Sequence, residues 1–299
     1  MLTIENEQHE VHLKWHGRPL LRYRVTDCGS KPHFDAVALP AEGPRGGENI
    51  ALGSPHDHVW HFGLFFAQKY VESLNFWESE RLAAEGQPYG ECRSIAAVSS
   101  RVGDDGSAVL AHEIDWRTSR GDIWIREHRE LAVHPPTSEG YVLDWRMTWT
   151  AVGADRTLSS GGEHGGYSGL SYRPVRSMDR GRILTSEGAQ TAEAALGQTA
   201  RWADYSGRLD GKVDPVEPDW AGLSIFDHPS NKRFPSRWFC MVEPFGFLAA
   251  NQTWDHPWLL RQDQPVTTRF GVFVHAGPAD GQAIEAAYAR FAAWTPGET

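Results

Sequence analysis

Along much of the chain, apolar and polar residues alternate with a period of two, the pattern of strands that bury one face. The clearest case is "YVLDWRMTWTAV", Tyr141 to Val152. It puts Leu143, Trp145, Met147 and Trp149 on one side and Asp144, Arg146, Thr148 and Thr150 on the other. "GDIWIREHREL" (Gly121 to Leu131), "PLLRYRV" (Pro19 to Val25) and "TTRFGVFVH" (Thr267 to His275) read the same way. Between them lie clusters of Gly, Pro, Asp and Ser such as "GDDGS", "HPPTSEG" and "SSGGEHGGYSG", which are turn chemistry. Helical spacing is confined to the end, in "ADGQAIEAAYARFAAW". There Ile284, Tyr288 and Phe291 form one stripe, and Asp280 is placed to cap the first turn. "AQTAEAALGQ" (Ala189 to Gln198) reads as either a short helix or an exposed loop. No fixed-period repeat and no low-complexity linker divides the chain. The expected fold is therefore all-β: a large antiparallel two-sheet sandwich, residues 1–299 as one domain, with a helix at about 280–294 on its flank.

Composition narrows the partners. The chain has 299 residues, 40% of them apolar and 23% charged, enough for a sizeable core. A net charge of −10, with no basic block, argues against nucleic acid and anionic membrane surfaces. No run is long and apolar enough to span a bilayer, and "MLTIENEQHEVHLKW" lacks a signal-peptide profile. The three cysteines, Cys28, Cys92 and Cys240, are far apart and in no CxxC spacing, which fits a reducing cytoplasm. Thirteen tryptophans and fourteen histidines stand out. Aromatic faces pack against the C–H faces of sugars, so this composition tilts toward carbohydrate.

Three segments carry the candidate chemistry. "SPHDHVWHFG" gathers His56, His58 and His61 beside Trp60, and Trp77 closes the aromatic run behind them. Were Pro55 to Trp60 extended, His56, His58 and Trp60 would share a face and His61 would point away, so a metal held by all three histidines requires a local bend. "SSGGEHGGYSGLSYRPV" sets Glu163 and His164 in a glycine-rich stretch, followed by Tyr172 and Arg173. An acid beside an imidazole is a ready proton-transfer pair. The glycines match neither a P-loop nor a dinucleotide fingerprint. "WAGLSIFDHPSNKRFPSRW" ends a strand in Asp227 and His228, where Pro229 forbids continuation. Asp227 either orients an imidazole or caps a turn, and Asn231 and Arg233 offer hydrogen bonds to oxygen ligands. Farther on, Trp254 in "NQTWDHPW" reads as a stacking platform. Signatures such as GxSxG and HExxH are absent.

Taken together, "DHVWHFGLFFA", "NFW", "GGYSGLSYR", "ADYSG", "GLSIFDHPSNKRFPSRW" and "TTRFGVFVHAG" resemble the bacterial PmoA-like family, from about Leu20 to Trp294. "DHPSN" after an apolar strand is the most specific element. The label "methane oxygenase" attached to that family does not transfer, because this chain has no membrane-spanning segment. What the resemblance implies is a galactose mutarotase-like β-supersandwich, a role in sugar catabolism, and functional pairing with an NAD-dependent sugar oxidoreductase. Relatives read close to Asp-His-Pro-His-His-Arg-Gly-Leu where this chain has Asp57 to Leu64. Trp60 stands in place of a histidine and Phe62 in place of an arginine, which removes a cation that would meet an anionic substrate.

The function these readings favour is a carbohydrate-active enzyme, of the hydrolase, lyase or epimerase kind. It would act by general acid–base chemistry on a sugar or an oxidised (keto) glycoside, by cleavage, elimination or ring opening. Its acid–base residues are expected among His58, His61, Glu163, His164, Asp227 and His228, with a histidine as base, Glu163 as acid and Asp227 as orienting group. His56, Trp60, Trp77, Tyr172, Arg173, Asn231, Arg233 and Trp254 are the candidates for holding the sugar. Two alternatives stay open: a Zn, Fe or Cu enzyme with ligands among His56, His58, His61 and His228, and a non-catalytic sugar-binding subunit of a dehydrogenase system. No cofactor is required by the sequence, and exposed sheet edges leave a homodimer open.

Overall fold

The structure, a computed structural model, describes residues 1–25, 29–40, 45–161, 166, 168–209 and 219–294. Glu163 and His164 fall outside the described residues. Among those described, the strands form two large antiparallel sheets, of eight and nine strands, and a small one of four. The eight-stranded sheet runs, in spatial order, Leu2–Asn6, Glu10–Trp15, Arg18–Arg24, His33–Val37, Leu64–Ala67, Gly169–Tyr172, Phe247–Asn251 and Arg237–Met241. The central strands of the nine-stranded sheet are Trp220–Asp227, Val266–Ala276, Tyr141–Ala151, Ile123–Val133 and Ala108–Thr118. The antiparallel sandwich and its closing helix are as the alternation of residues predicts.

Period-two alternation decides what each strand buries. Leu143, Trp145, Met147 and Trp149 all join the core between the sheets. Phe66 meets Trp149 there, with ring centroids 5.3 Å apart, and Phe34 meets Trp145 edge-on at 5.7 Å. The same alternation carries Glu127 and Arg129 inward from the strand Ile123–Val133. Both are fully buried, and they pair at 2.6 Å, with Trp116 Nε1 donating to the second carboxylate oxygen at 2.7 Å. A buried charge tolerated in this way depends on its partner.

The C-terminal helix, Gly281–Ala293, is capped by Asp280, whose side chain accepts from the backbone of Gln282 and Ala283. Ile284, Tyr288 and Phe291 lie with Trp202, Phe226 and Phe273 on the outer face of the nine-stranded sheet. The alanine-rich stretch at 189–198 contains a single turn of helix, Ala192–Ala195, capped by Thr191. Among the described residues no helix is long and apolar enough to cross a membrane.

Candidate functional site

The outer face of the eight-stranded sheet is where the aromatic and histidine-rich segment folds back. In the strand Leu64–Ala67, Leu64 and Phe66 point into the inter-sheet core, while Phe65 and Ala67 point outward. Neighbouring strands supply Phe247, Ala249 and Phe239 to the same outer face, and Trp77, Phe62 and Phe245 close over it. Half-buried Trp60 and Trp254 border this aromatic cluster.

Residues 54–62 do not run extended. His58 N donates to Pro55 O at 3.0 Å and His61 N donates to His58 O at 2.9 Å, so the chain makes two successive turns. Gly63 follows with φ +79°, a conformation suited to glycine, and a Cβ there would sit 2.6 Å from Phe34 O. These turns bring His58 and His61 to the same side. Their rings stack with centroids 4.8 Å apart and planes inclined by 16°.

The two imidazoles have different surroundings. His61 is buried at the heart of the aromatic cluster, 4.7 Å from the Phe247 ring and 6.1 Å from those of Phe65 and Trp77. Its Nδ1 lies 3.3 Å from Arg173 Nη1. A guanidinium only donates, so Nδ1 accepts and the ring proton of neutral His61 sits on Nε2. That nitrogen has no hydrogen-bond partner among the described residues. Burial, aided by the neighbouring His58, Arg173 and Lys31, holds the His61 pKa well below the usual histidine value. His61 is therefore neutral at pH 7.

His58 sits at the accessible edge, with 31% of its side chain exposed and Nδ1 3.0 Å from Asp57 Oδ2. Its ring also meets Phe245 edge-on at 4.7 Å and Trp60 at 5.1 Å. Partial burial alone would raise the Asp57 pKa, but hydrogen bonds from His58 and Arg173 outweigh it and hold the carboxyl well below the ordinary range. Arg173 is fully buried, donates to Asp57 Oδ2 at 2.9 Å and stacks 3.7 Å from the centroid of Phe245. Because the Asp57 carboxylate can only accept, His58 Nδ1 carries the proton that faces it, and the Nε2 of neutral His58 keeps a free lone pair. An ionised acid orienting an accessible imidazole is the arrangement of an acid–base dyad.

Other expected residues lie elsewhere. Tyr172 points away from Arg173 into the inter-sheet core, its hydroxyl donating to Ile50 O at 2.8 Å. Trp77 is buried in the aromatic cluster and packs there, with 1% of its surface exposed. His56 is exposed on the turn. Asp227, Asn231 and Arg233 belong to the corner where the chain crosses between the sheets. Asp227 is fully buried and accepts from Asn231 Nδ2 at 2.5 Å and from Ser236 N at 2.6 Å. Asn231 also donates to Arg269 O and accepts from Arg269 N, and Arg233 donates to the carbonyls of Gln252 and Pro257. His228 faces the C-terminal helix, 3.1 Å from Arg269 Nη1 and edge-on to Phe291. The carboxylate beside His58 is that of Asp57, while Asp227 bonds within its own corner.

The ring nitrogens of His56, His58 and His61 do not converge closely enough to hold one ion. Among the described residues, the one group of ligand atoms near enough to hold an ion is Glu7, Glu10 and His12, on the edge of the eight-stranded sheet. A separate cavity of about 190 Å³ lies beneath the C-terminal helix, lined by His134, Tyr141, Phe273, Phe291 and Trp294 among others, and none of the expected site residues reaches it.

A model described as a family of unknown function, DUF6807, matches residues 10–289. The chain belongs to that family. The DUF6807 description carries no PmoA-like designation, and no curated protein sequence matches the chain. Among solved structures, this DUF6807 chain is similar to a polysaccharide lyase, at 11% identity and TM-score 0.34, over 95% of this chain and 34% of the lyase. It thus spans about a third of that protein's length. It is also similar to a GalM/aldose epimerase homologue from C. elegans, at 8% identity and TM-score 0.31, over 94% of this chain and 100% of the homologue.

Proposed function

We propose that this DUF6807 protein is a carbohydrate-active enzyme in which His58, oriented by Asp57, exchanges protons with a sugar lodged against Trp60 and Phe245. The observation that carries the reading is the Asp57–His58 contact of 3.0 Å at the accessible edge of an aromatic face. Sugars present both hydroxyls and flat C–H faces, so an accessible imidazole between two rings suits them. The motif resemblance to the PmoA-like family supports the same substrate class.

In the step proposed, His58 Nε2 takes the proton of a substrate hydroxyl and becomes an imidazolium. Its Nδ1–H then points at the Asp57 carboxylate, which stabilises the new charge. Arg173 keeps that carboxylate ionised, and burial keeps the stacked His61 ring neutral, so no second imidazolium opposes the protonation of His58. Returning the proton to the ring oxygen as its bond to C1 breaks, with the deprotonated C1 oxygen becoming a carbonyl, completes ring opening; where His58 instead takes the proton of a water that attacks C1, returning it to the departing glycosidic oxygen completes cleavage.

The test is a thermal-shift and turnover screen of the full chain with neutral hexoses, methyl glycosides, 3-keto glucosides and uronates. At least one sugar is expected to raise the unfolding midpoint by mass action. His58→Ala, folded by circular dichroism, is expected to lose turnover by on the order of a hundredfold or more. A screen in which no sugar binds, or a His58→Ala variant with unchanged turnover, refutes the reading.

A further inference from the structure

Next to the dyad lies an open cleft of about 710 Å³, lined by Arg176, Ser177, Asp179, Arg180, Glu243 and Pro244. Two chain segments join it to the dyad. Arg176 lines the cleft and its guanidinium donates to Asp57 Oδ1. Glu243 and Pro244 also line it, and the next residue, Phe245, touches the ring of His58 and lies under the Arg173 guanidinium. The floor is pinned: Asp179 Oδ1 accepts from Gly246 N at 2.8 Å, and Arg180 N donates to Val242 O at 2.9 Å. His58 therefore stands at the boundary of two compartments, one aromatic and one charged.

The charged compartment is balanced. Arg176 and Arg180 share the lining with Asp179 and Glu243, and the exposed Arg180–Glu243 pair is 2.9 Å apart. Such a lining offers donors and acceptors together without selecting either sign of charge, which matches a polyol better than an ion. The volume is within the range of about 300–1,000 Å³ typical of small-molecule sites.

We infer that the cleft is a second sugar subsite, taking a neutral hydroxylated unit adjoining the one that His58 acts on. The inference rests on the proposed function of the dyad and adds that the substrate has at least two units, the second uncharged.

Isothermal titration of the full chain provides the test, with methyl glucoside and methyl galactoside as single units, cellobiose, maltose and lactose as neutral pairs, and digalacturonate as an acidic pair. At least one neutral disaccharide is expected to bind ten-fold or more tightly than the methyl glycoside of its non-reducing unit. Arg180→Ala and Glu243→Gln, both at exposed positions, are each expected to erase that gain while leaving single-unit affinity unchanged. The subsite is overturned if single units bind but no neutral pair gains, if digalacturonate gains most, or if both variants keep the gain. Failure of every sugar to bind, single units included, instead overturns the reading of the dyad and takes the subsite with it.

Discussion

Replacing Asp227 with alanine separates the corner from the site. The side chain is fully buried and holds two donors, Asn231 Nδ2 and Ser236 N, at 2.5 and 2.6 Å. Truncation orphans both, at about 1–3 kcal/mol each. Against that loss stands the wild-type cost of burying a carboxylate. Burial pushes the Asp227 pKa from 3.8 up to about 6, despite the hydrogen bonds from Asn231 and Ser236. The displacement corresponds to about 3 kcal/mol. Because the native carboxyl keeps its proton to higher pH than the unfolded one, the native state binds more protons across that window, and wild-type stability falls as pH rises through it. The variant has no such titration. Its deficit relative to wild type is therefore largest below pH 3.8 and falls by about 2.5 kcal/mol between pH 4 and pH 7.5. Urea unfolding followed by tryptophan fluorescence, on both proteins at pH 4, 5.5 and 7.5, measures the difference directly. A deficit that stays constant or grows with pH refutes the argument, and a folded variant that loses sugar binding returns Asp227 to the site.

Three further outcomes follow from the same structure. Asp57→Asn should fold yet lose turnover by on the order of a hundredfold, because an amide no longer stabilises protonated His58; steady-state kinetics on the best substrate of the screen would show a fall in kcat. Arg129→Met should cost about 3–5 kcal/mol by stranding Glu127 in the core, and adding Glu127→Leu should recover part of it, read from urea midpoints. Cys92 and Cys240 are buried, and burial raises both thiol pKa values far above the ordinary one, so iodoacetamide should label them only after unfolding, as peptide mass spectrometry would show.

Much of the fold was legible because strand faces follow a strict period. Tyr141–Ala151 buries the four residues its alternation assigns to the core, and Asp280 caps the helix expected at 280–294. The candidate site was legible as a set of histidines and an arginine but not in its geometry. Read as extended, Pro55 to Trp60 sends Asp57 away from His58; the turns at His58 and His61 reverse that, with Pro55 and Gly63 as their sequence marks. Asp227 and His228, adjacent at a strand end, have different partners, Asn231 and Ser236 for the one and Arg269 and Phe291 for the other, so neighbours in sequence do not work together there. Phe245 and Arg176 reach the dyad, and Phe247 reaches His61, only through pairing and crossover of distant strands, which no local pattern encodes. Tyr172 and Arg173 illustrate the same rule in reverse: one position apart, one faces the core and the other the site.

The most direct measurement is nitrogen-15 NMR of the histidine rings during titration of the full chain with the tightest-binding sugar from the screen. The account predicts that the His58 signals move in step with saturation and that those of His134 and His228, beneath the C-terminal helix, stay in place. Sugar-dependent shifts at His134 or His228 with His58 unmoved would contradict it.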